Sequence, residues 1–275
     1  MARKKNSSET PSRHVNRNAQ QDKTGRGKVK DRHGSRTQSG TELVMSERAV
    51  NNEDYKLDWF KPTESQKEII YSMCTNTCTI ISASSGTGKS TSVIWQALKE
   101  LKKGNYKKIM FIKTAVESCD DSIGFLPNDA DSKLKPHFEA SRGIFMQFMS
   151  EAKLNMEEKR GRIEFKIPNF IQGATFDDTL MILDEMQQVS PAILKLILER
   201  VGKGSSVAVL GDKKQRYAFK KREDGFSFLV NMVTDVDDEG RYSNVDSIGY
   251  VEIPASENMR SEFSRLIVGL YEEKL

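Results

Sequence analysis

Cysteine is scarce in this chain: Cys74, Cys78 and Cys119 are the only three in 275 residues. That is too few for a disulfide framework and fits a reducing compartment. No apolar run approaches the roughly eighteen residues that a membrane helix needs. The basic start is not followed by the apolar stretch of a secretory signal, so a soluble, cytoplasmic protein without a membrane partner is expected. Histidine is as sparse, and His14, His33 and His137 do not cluster. Cys74 and Cys78, four apart on an expected helix, have no second pair at ligand spacing, which speaks against a His/Cys metal centre.

The first forty residues contain no Leu, Ile, Phe, Trp or Tyr at all, and their apolar content is Met1, Ala2, Val15, Ala19 and Val29. They hold eleven Lys or Arg against three Asp or Glu, while the remaining 235 residues hold 32 against 36. A basic arm therefore precedes a mildly acidic body. With so little to bury, residues 1–44 are expected to be disordered, and residues 45–275 are the length of one ordinary domain. The arm's charge suits phosphate backbones in a salt-dependent way, although a charge run is commonly just solvated.

Beyond Gly40, short apolar runs alternate with helical patterns, which predicts an α/β fold with a mostly parallel sheet between helices. Five strands are expected, at Thr77–Ser82, Lys108–Ile112, Leu180–Leu183, Ser206–Leu210 and Tyr250–Ile253. Helical spacing recurs in Val93, Ile94, Ala97, Leu98 and Leu101, in Ile193, Leu194, Ile197, Leu198 and Val201, and in Phe263, Leu266, Ile267, Leu270 and Tyr271. Ser190 before Pro191 reads as an N-cap with proline at the first helical position. Residues 131–169 fit the alternation less well. They predict an insertion made of a helix and a short two-stranded element beside the main sheet, with Ile163, Phe165 and Ile167 alternating with charges.

Directly after the first strand comes Ala83-Ser84-Ser85-Gly86-Thr87-Gly88-Lys89-Ser90, followed by a helix, the pattern of a phosphate loop or Walker A segment. Such a loop works through its backbone. Successive N–H groups wrap a phosphate, the helix N-terminus adds its positive end, and glycine permits close approach. Ser85, Gly86, Thr87, Gly88, Lys89, Ser90 and Thr91 are the expected nucleotide contacts, with Lys89 neutralising the β and γ oxygens and Ser90 holding Mg²⁺. Ala83 stands where the consensus has glycine, which matters only if that position needs a positive φ.

The third strand runs into Asp184-Glu185, a Walker B-type pair at the sheet edge where ligands of open α/β folds bind. Asp184 is suited to the Mg²⁺ shell and Glu185 to polarising a water. The fourth strand ends in Gly211-Asp212-Lys213-Lys214-Gln215, and the Gln215 amide can sense a γ-phosphate because it both donates and accepts. Gln66, in Thr63-Glu64-Ser65-Gln66, is an expected contact for an adenine edge, although the same residues also make an ordinary helix start. Trp59 and Phe60 read as a hydrophobic anchor more readily than as a base-stacking platform.

From Thr63 onward the chain resembles the PhoH-like family of P-loop ATPases. The resemblance rests on TESQKEII, SASSGTGKST, IKTAVESCDDSIGFLPND, IPNFIQGATFDDTLMILDEMQQVSP, GDKKQ and ENMRSEFSRLIVGLYEE, all in family order. Ala83, Lys113 and Gln172 depart from the residues most members carry, which leaves ATP binding secure and the polynucleotide path less so. The resemblance implies a RecA-like core of the additional-strand, catalytic-glutamate type, related to the first motor domain of superfamily one helicases, and assembly into rings. It also gives meaning to Glu117, near the nucleotide or a subunit boundary, and to Arg260, an expected arginine finger whose other reading is a charge pairing at the last helix. The stretch Asp120 to Asp131 reads as a positioned loop. The arm is too short and too polar to be the RNA-cleaving domain that some members carry.

The expected activity is Mg²⁺-dependent ATP hydrolysis, with Lys89, Glu185, Gln215 and Arg260 as its catalytic groups and single-stranded RNA or DNA as the partner of a homo-oligomer. A nucleotide-dependent switch acting on a protein partner remains open. A small-molecule kinase is disfavoured by the acid pair and by Gln215.

Overall fold

The computed structural model describes residues 54–114, 130–171, 173–215, 224–235 and 246–272, with the side chains of 130–135 excepted. The basic arm, Glu117, Gln172 and most of the Asp120–Asp131 stretch lie outside the described residues.

Six strands form one sheet: β1 (Cys78–Ala83), β2 (Lys108–Lys113), β3 (Ile163–Lys166), β4 (Thr179–Asp184), β5 (Ser206–Gly211) and β6 (Ile248–Ile253). Their order is β3-β2-β4-β5-β1-β6 and every pairing is parallel. The expectation of five strands was one short. Ile163–Lys166 is no part of a separate hairpin; it pairs with β2, Phe111 opposite Phe165, and forms one edge of the main sheet. Its alternation of apolar and charged residues is what a half-covered edge strand requires.

The central strands β1 and β4 are buried at all six positions, as a parallel sheet covered on both faces demands. Successive residues face opposite layers. Ile81, Phe111, Ile182 and Leu210 join one core, and Ile80, Met110, Met181 and Val209 join the other. The first core is covered by helices α1 (Glu64–Thr75), α2 (Lys89–Lys103), α3 (Ala130–Met146) and α4 (Glu151–Lys159). The second is covered by α5 (Pro191–Leu198) and α6 (Gly225–Thr234). A last helix, α7 (Glu262–Glu272), follows β6.

Local capping is as its spacing predicts. Ser190 accepts from the Ile193 N–H with Pro191 at the first turn of α5, and Thr63 with Gln66 closes a capping box on α1. Trp59 stacks on Phe148 at 5.2 Å between ring centroids, with Phe60 against the Trp95 ring, so this pair does anchor the entry of the chain. Cys74 and Cys78 do not share a helix: Cys74 is in α1 and Cys78 opens β1.

Candidate functional site

All six strands run the same way, so the segments that leave β1, β2, β4, β5 and β6 emerge at one rim. Register aligns them closely. Ser82 lies opposite Gly211, Lys113 opposite Asp184, and Ala83 opposite Ile253. Only β5 separates β1 from β4, which puts the loop after Ala83 and the acids after Leu183 about 10 Å apart, two strand spacings. This is the additional-strand arrangement expected from the resemblance. A ligand seated at the rim meets both strand ends.

Ala83 is the buried last residue of β1 and has no positive φ, so its methyl group costs the loop nothing. Gly86 and Gly88 do carry positive φ, +86° and +78°, a conformation that strains any residue with a Cβ. At Gly86 a Cβ would also fall 2.8 Å from the Asn258 side chain.

The carbonyls of the loop are tied down one after another. The Thr87 hydroxyl donates to the Ser84 carbonyl at 3.0 Å, Asn258 Nδ2 to that of Ser85 at 3.0 Å, the Met259 N–H to that of Gly86 at 2.9 Å, and Gln66 Nε2 to that of Thr87 at 3.0 Å. In a trans peptide the C=O and the following N–H point in opposite directions. Anchoring these four carbonyls therefore turns the N–H groups of Ser85, Gly86, Thr87 and Gly88 to the other side. They meet no acceptor among the described residues. The helix α2 starts immediately afterwards with Gly88 as a left-handed N-cap and no side-chain cap, leaving its first-turn N–H groups available as well. The result is a preformed run of donors suited to an anion.

One expectation changes here, and one residue is added. Gln66 does not offer both amide atoms to a base edge. It is only 2% exposed, its Oε1 accepts from the Thr63 N–H at 3.0 Å and its Nε2 holds Thr87, so it braces the loop from behind. Asn258 was not singled out by sequence, although it lies in the ENMRSE segment. It is 1% exposed; besides holding Ser85, its Oδ1 accepts the Arg260 N–H at 2.9 Å and its carbonyl accepts Arg265 Nε at 3.2 Å. The Arg260 side chain is exposed and pairs with no carboxylate among the described residues.

Across the rim, Asp184 is buried, and burial together with the neighbouring Glu185 carboxylate pushes its pKa up to about 6, against the pull of Lys89 and Lys113. Lys113 ends β2 opposite Asp184 in the sheet register, and Lys89 opens the helix that follows the loop, so both cations belong to the strand-end rim that carries the acid pair. Glu185 is held in the left-handed region, φ +59° and ψ +39°, which costs a non-glycine residue on the order of 1 kcal/mol or more. Its carboxylate accepts from Gln187 Nε2 at 2.6 Å. Gln215 follows β5, with its N–H donated to the Asp212 carbonyl at 3.2 Å.

The donor set at this rim is hard and oxygen-based. No cluster of three His, Cys, Asp or Glu exists among the described residues, whereas Ser90 and Asp184 match the habit of Mg²⁺, which takes one or two protein oxygens and draws the rest from phosphates and water. A buried carboxyl of raised pKa is also a group that a divalent cation would relieve.

The raised pKa has a stability consequence of definite sign. The fold favours the protonated form of Asp184 over the unfolded chain, whose value is 3.8. The cost of the buried charge is thus absent below about pH 4, grows as pH rises from about 4 to about 6, and is full above about 6. Asp184→Asn is expected to stabilise the metal-free protein by about 1–3 kcal/mol near neutral pH, with no gain near pH 4, as read by denaturant unfolding at the two pH values. An equal gain at both would mean that burial of this charge is not the cause.

The match to known proteins covers the same region. The family model described as PhoH-like protein matches residues 61–272. A PhoH-like protein of Bacillus subtilis is 28% identical over 212 residues, 77% of this chain and 63% of that protein. One from Synechocystis is 27% identical over 175 residues, 64% of this chain and 53% of that protein. The chain thus spans between half and two thirds of the length of these relatives. Among solved structures, the Pyrococcus furiosus Hef helicase domain aligns at 13% identity over 73% of this chain and 40% of that one, with a TM-score of 0.43. No helix among the described residues is long and apolar enough to cross a membrane. With the family model spanning the phosphate loop, the acid pair and the Asn258 segment in one match, the chain belongs to the PhoH-like protein family.

Proposed function

We propose that this chain binds Mg·ATP and hydrolyses it, as a cytoplasmic homo-oligomer acting on single-stranded RNA or DNA. The observation that carries the nucleotide reading is the row of four anchored carbonyls behind Ser85 to Gly88, whose N–H groups meet no acceptor among the described residues, at the strand-end rim that Asp184 and Glu185 share. In this reading the N–H groups of residues 85–91 seat the phosphates and Lys89 neutralises their outer oxygens. Ser90 and Asp184 would hold Mg²⁺, which supplies charge compensation on the transferring phosphoryl group. Glu185 orients and polarises the attacking water, and Gln215 reads the presence of the γ-phosphate. The exposed Arg260, tethered through Asn258 to the loop, adds positive charge to the transition state, at its own site or that of a neighbouring copy.

Support for a polynucleotide partner is of a different kind: a net charge of +8 in the first forty residues, suited to salt-dependent phosphate contact. ATP turnover with and without single-stranded RNA and DNA, alongside mass determination in solution, tests both parts. Turnover that rises with polynucleotide in an assembly larger than one chain is expected. A rate indifferent to polynucleotide would replace the motor with a nucleotide-dependent switch, and no Mg²⁺-dependent turnover under any condition would remove the ATPase reading.

A further inference from the structure

Gln187 lies in the short 3₁₀ turn (Met186–Gln188) that follows Glu185 and is 1% exposed. Its Nε2 donates to Glu185 Oε2 at 2.6 Å, and its Oε1 accepts the Asp212 N–H at 3.3 Å. The orientation of the amide is fixed by its partners. A backbone N–H can only donate and an ionised carboxylate can only accept, so the oxygen must face Asp212 and the nitrogen Glu185.

Asp212 is itself a hub at the end of β5. It is buried, its Oδ1 accepts the Lys214 N–H at 2.9 Å, and its carbonyl accepts the Gln215 N–H at 3.2 Å. A continuous chain of contacts thus runs from Gln215 through Asp212 and Gln187 to the Glu185 carboxylate. Nothing about the binding of phosphate requires this link, since the loop and Lys89 are on the other side of β5.

We infer that Gln187 is a positioning residue that couples the segment carrying Gln215 to the aim of the Glu185 carboxylate. Loss or arrival of a γ-phosphate at Gln215 shifts Asp212, the buried amide follows, and the carboxylate swings into or out of line with its water. A neutral amide suits this task because it grips an acid without cancelling its charge, and a charge-assisted bond of this length is among the stronger hydrogen bonds available. The inference rests on the ATPase reading above.

The test uses the full chain and two variants. Gln187→Met keeps the volume and deletes both bonds. Gln187→Glu keeps an acceptor for Asp212 but removes the donor to Glu185. For each, kcat is measured beside the dissociation constant of a fluorescent ATP analogue, which also reports that the variant is folded. Both are expected to lose about 10- to 100-fold in kcat, the cost of a small misplacement of a reacting group, with analogue affinity kept within about 3-fold, less than 1 kcal/mol. In a Glu185→Gln background, Gln187→Met should then cost nothing more, because the group it aims is already disabled.

A parent-like kcat in Gln187→Met, losses that multiply in the double variant, or affinity falling in step with kcat would each overturn the coupling role. A parent protein with no turnover at all would overturn the ATPase reading and this inference with it, so the two failures are told apart by the parent alone.

Discussion

Lys89→Ala is expected to abolish ATP turnover and to weaken nucleotide binding by about 10²-fold or more, the scale seen when one partner of a desolvated charge pair is removed. Lys89 is the first residue of α2, immediately after the left-handed Gly88, and its charge already reaches Asp184 across the rim. Removing it leaves two carboxylates facing an incoming triphosphate with Lys113 as the remaining named counter-charge. The loss is therefore of attraction and of shielding together. Isothermal titration with a non-hydrolysable ATP analogue and a phosphate-release assay check the two halves, and unimpaired hydrolysis would move the active site elsewhere in the chain.

Glu185→Gln separates binding from chemistry. Gln keeps the size of the side chain and an acceptor oxygen for Gln187, and leaves Asp184 intact, so nucleotide affinity should stay within a few-fold. Turnover should fall by about 10²- to 10⁴-fold, the usual worth of a general base. The backbone adds to the case. A residue kept in a left-handed conformation without being glycine is a cost that the surrounding fold sustains, and such costs collect where a side chain must be aimed. Single-turnover hydrolysis alongside analogue binding reads both quantities. A turnover equal to the parent's would leave Glu185 a mere strand end.

The parts of the site that could be read in the sequence are those encoded over a few residues. Gly86, Gly88 and Lys89 follow a continuous apolar strand, Asp184 and Glu185 end another, and Ser190-Pro191 or Thr63 with Gln66 specify helix starts through contacts three residues apart. The roles of Gln66 and Asn258 were hidden for the opposite reason. Each meets the loop across a gap in sequence, 21 residues for Gln66 and 173 for Asn258, and no local pattern distinguishes an amide that braces a backbone from one that faces solvent. Gln187 left no trace of its own, being one of two adjacent glutamines after Met186 of which only the first is buried. Strand β3 was misassigned because four residues with alternating charge satisfy a hairpin and a sheet edge equally well, and only its partner decides.

The outward anchors of the phosphate loop have a consequence for how the protein is made. Gln66 comes from the stretch synthesised before the loop, but Asn258 and Met259 are added some 170 residues after it. A nascent chain that has already extruded the lysine and both acids still lacks two of the four ties that turn the peptide units toward a ligand. On the ATPase reading, the loop is expected to reach its full grip on a nucleotide only after translation has passed residue 259, so a shorter nascent chain should bind ATP more weakly than the chain that carries both ties.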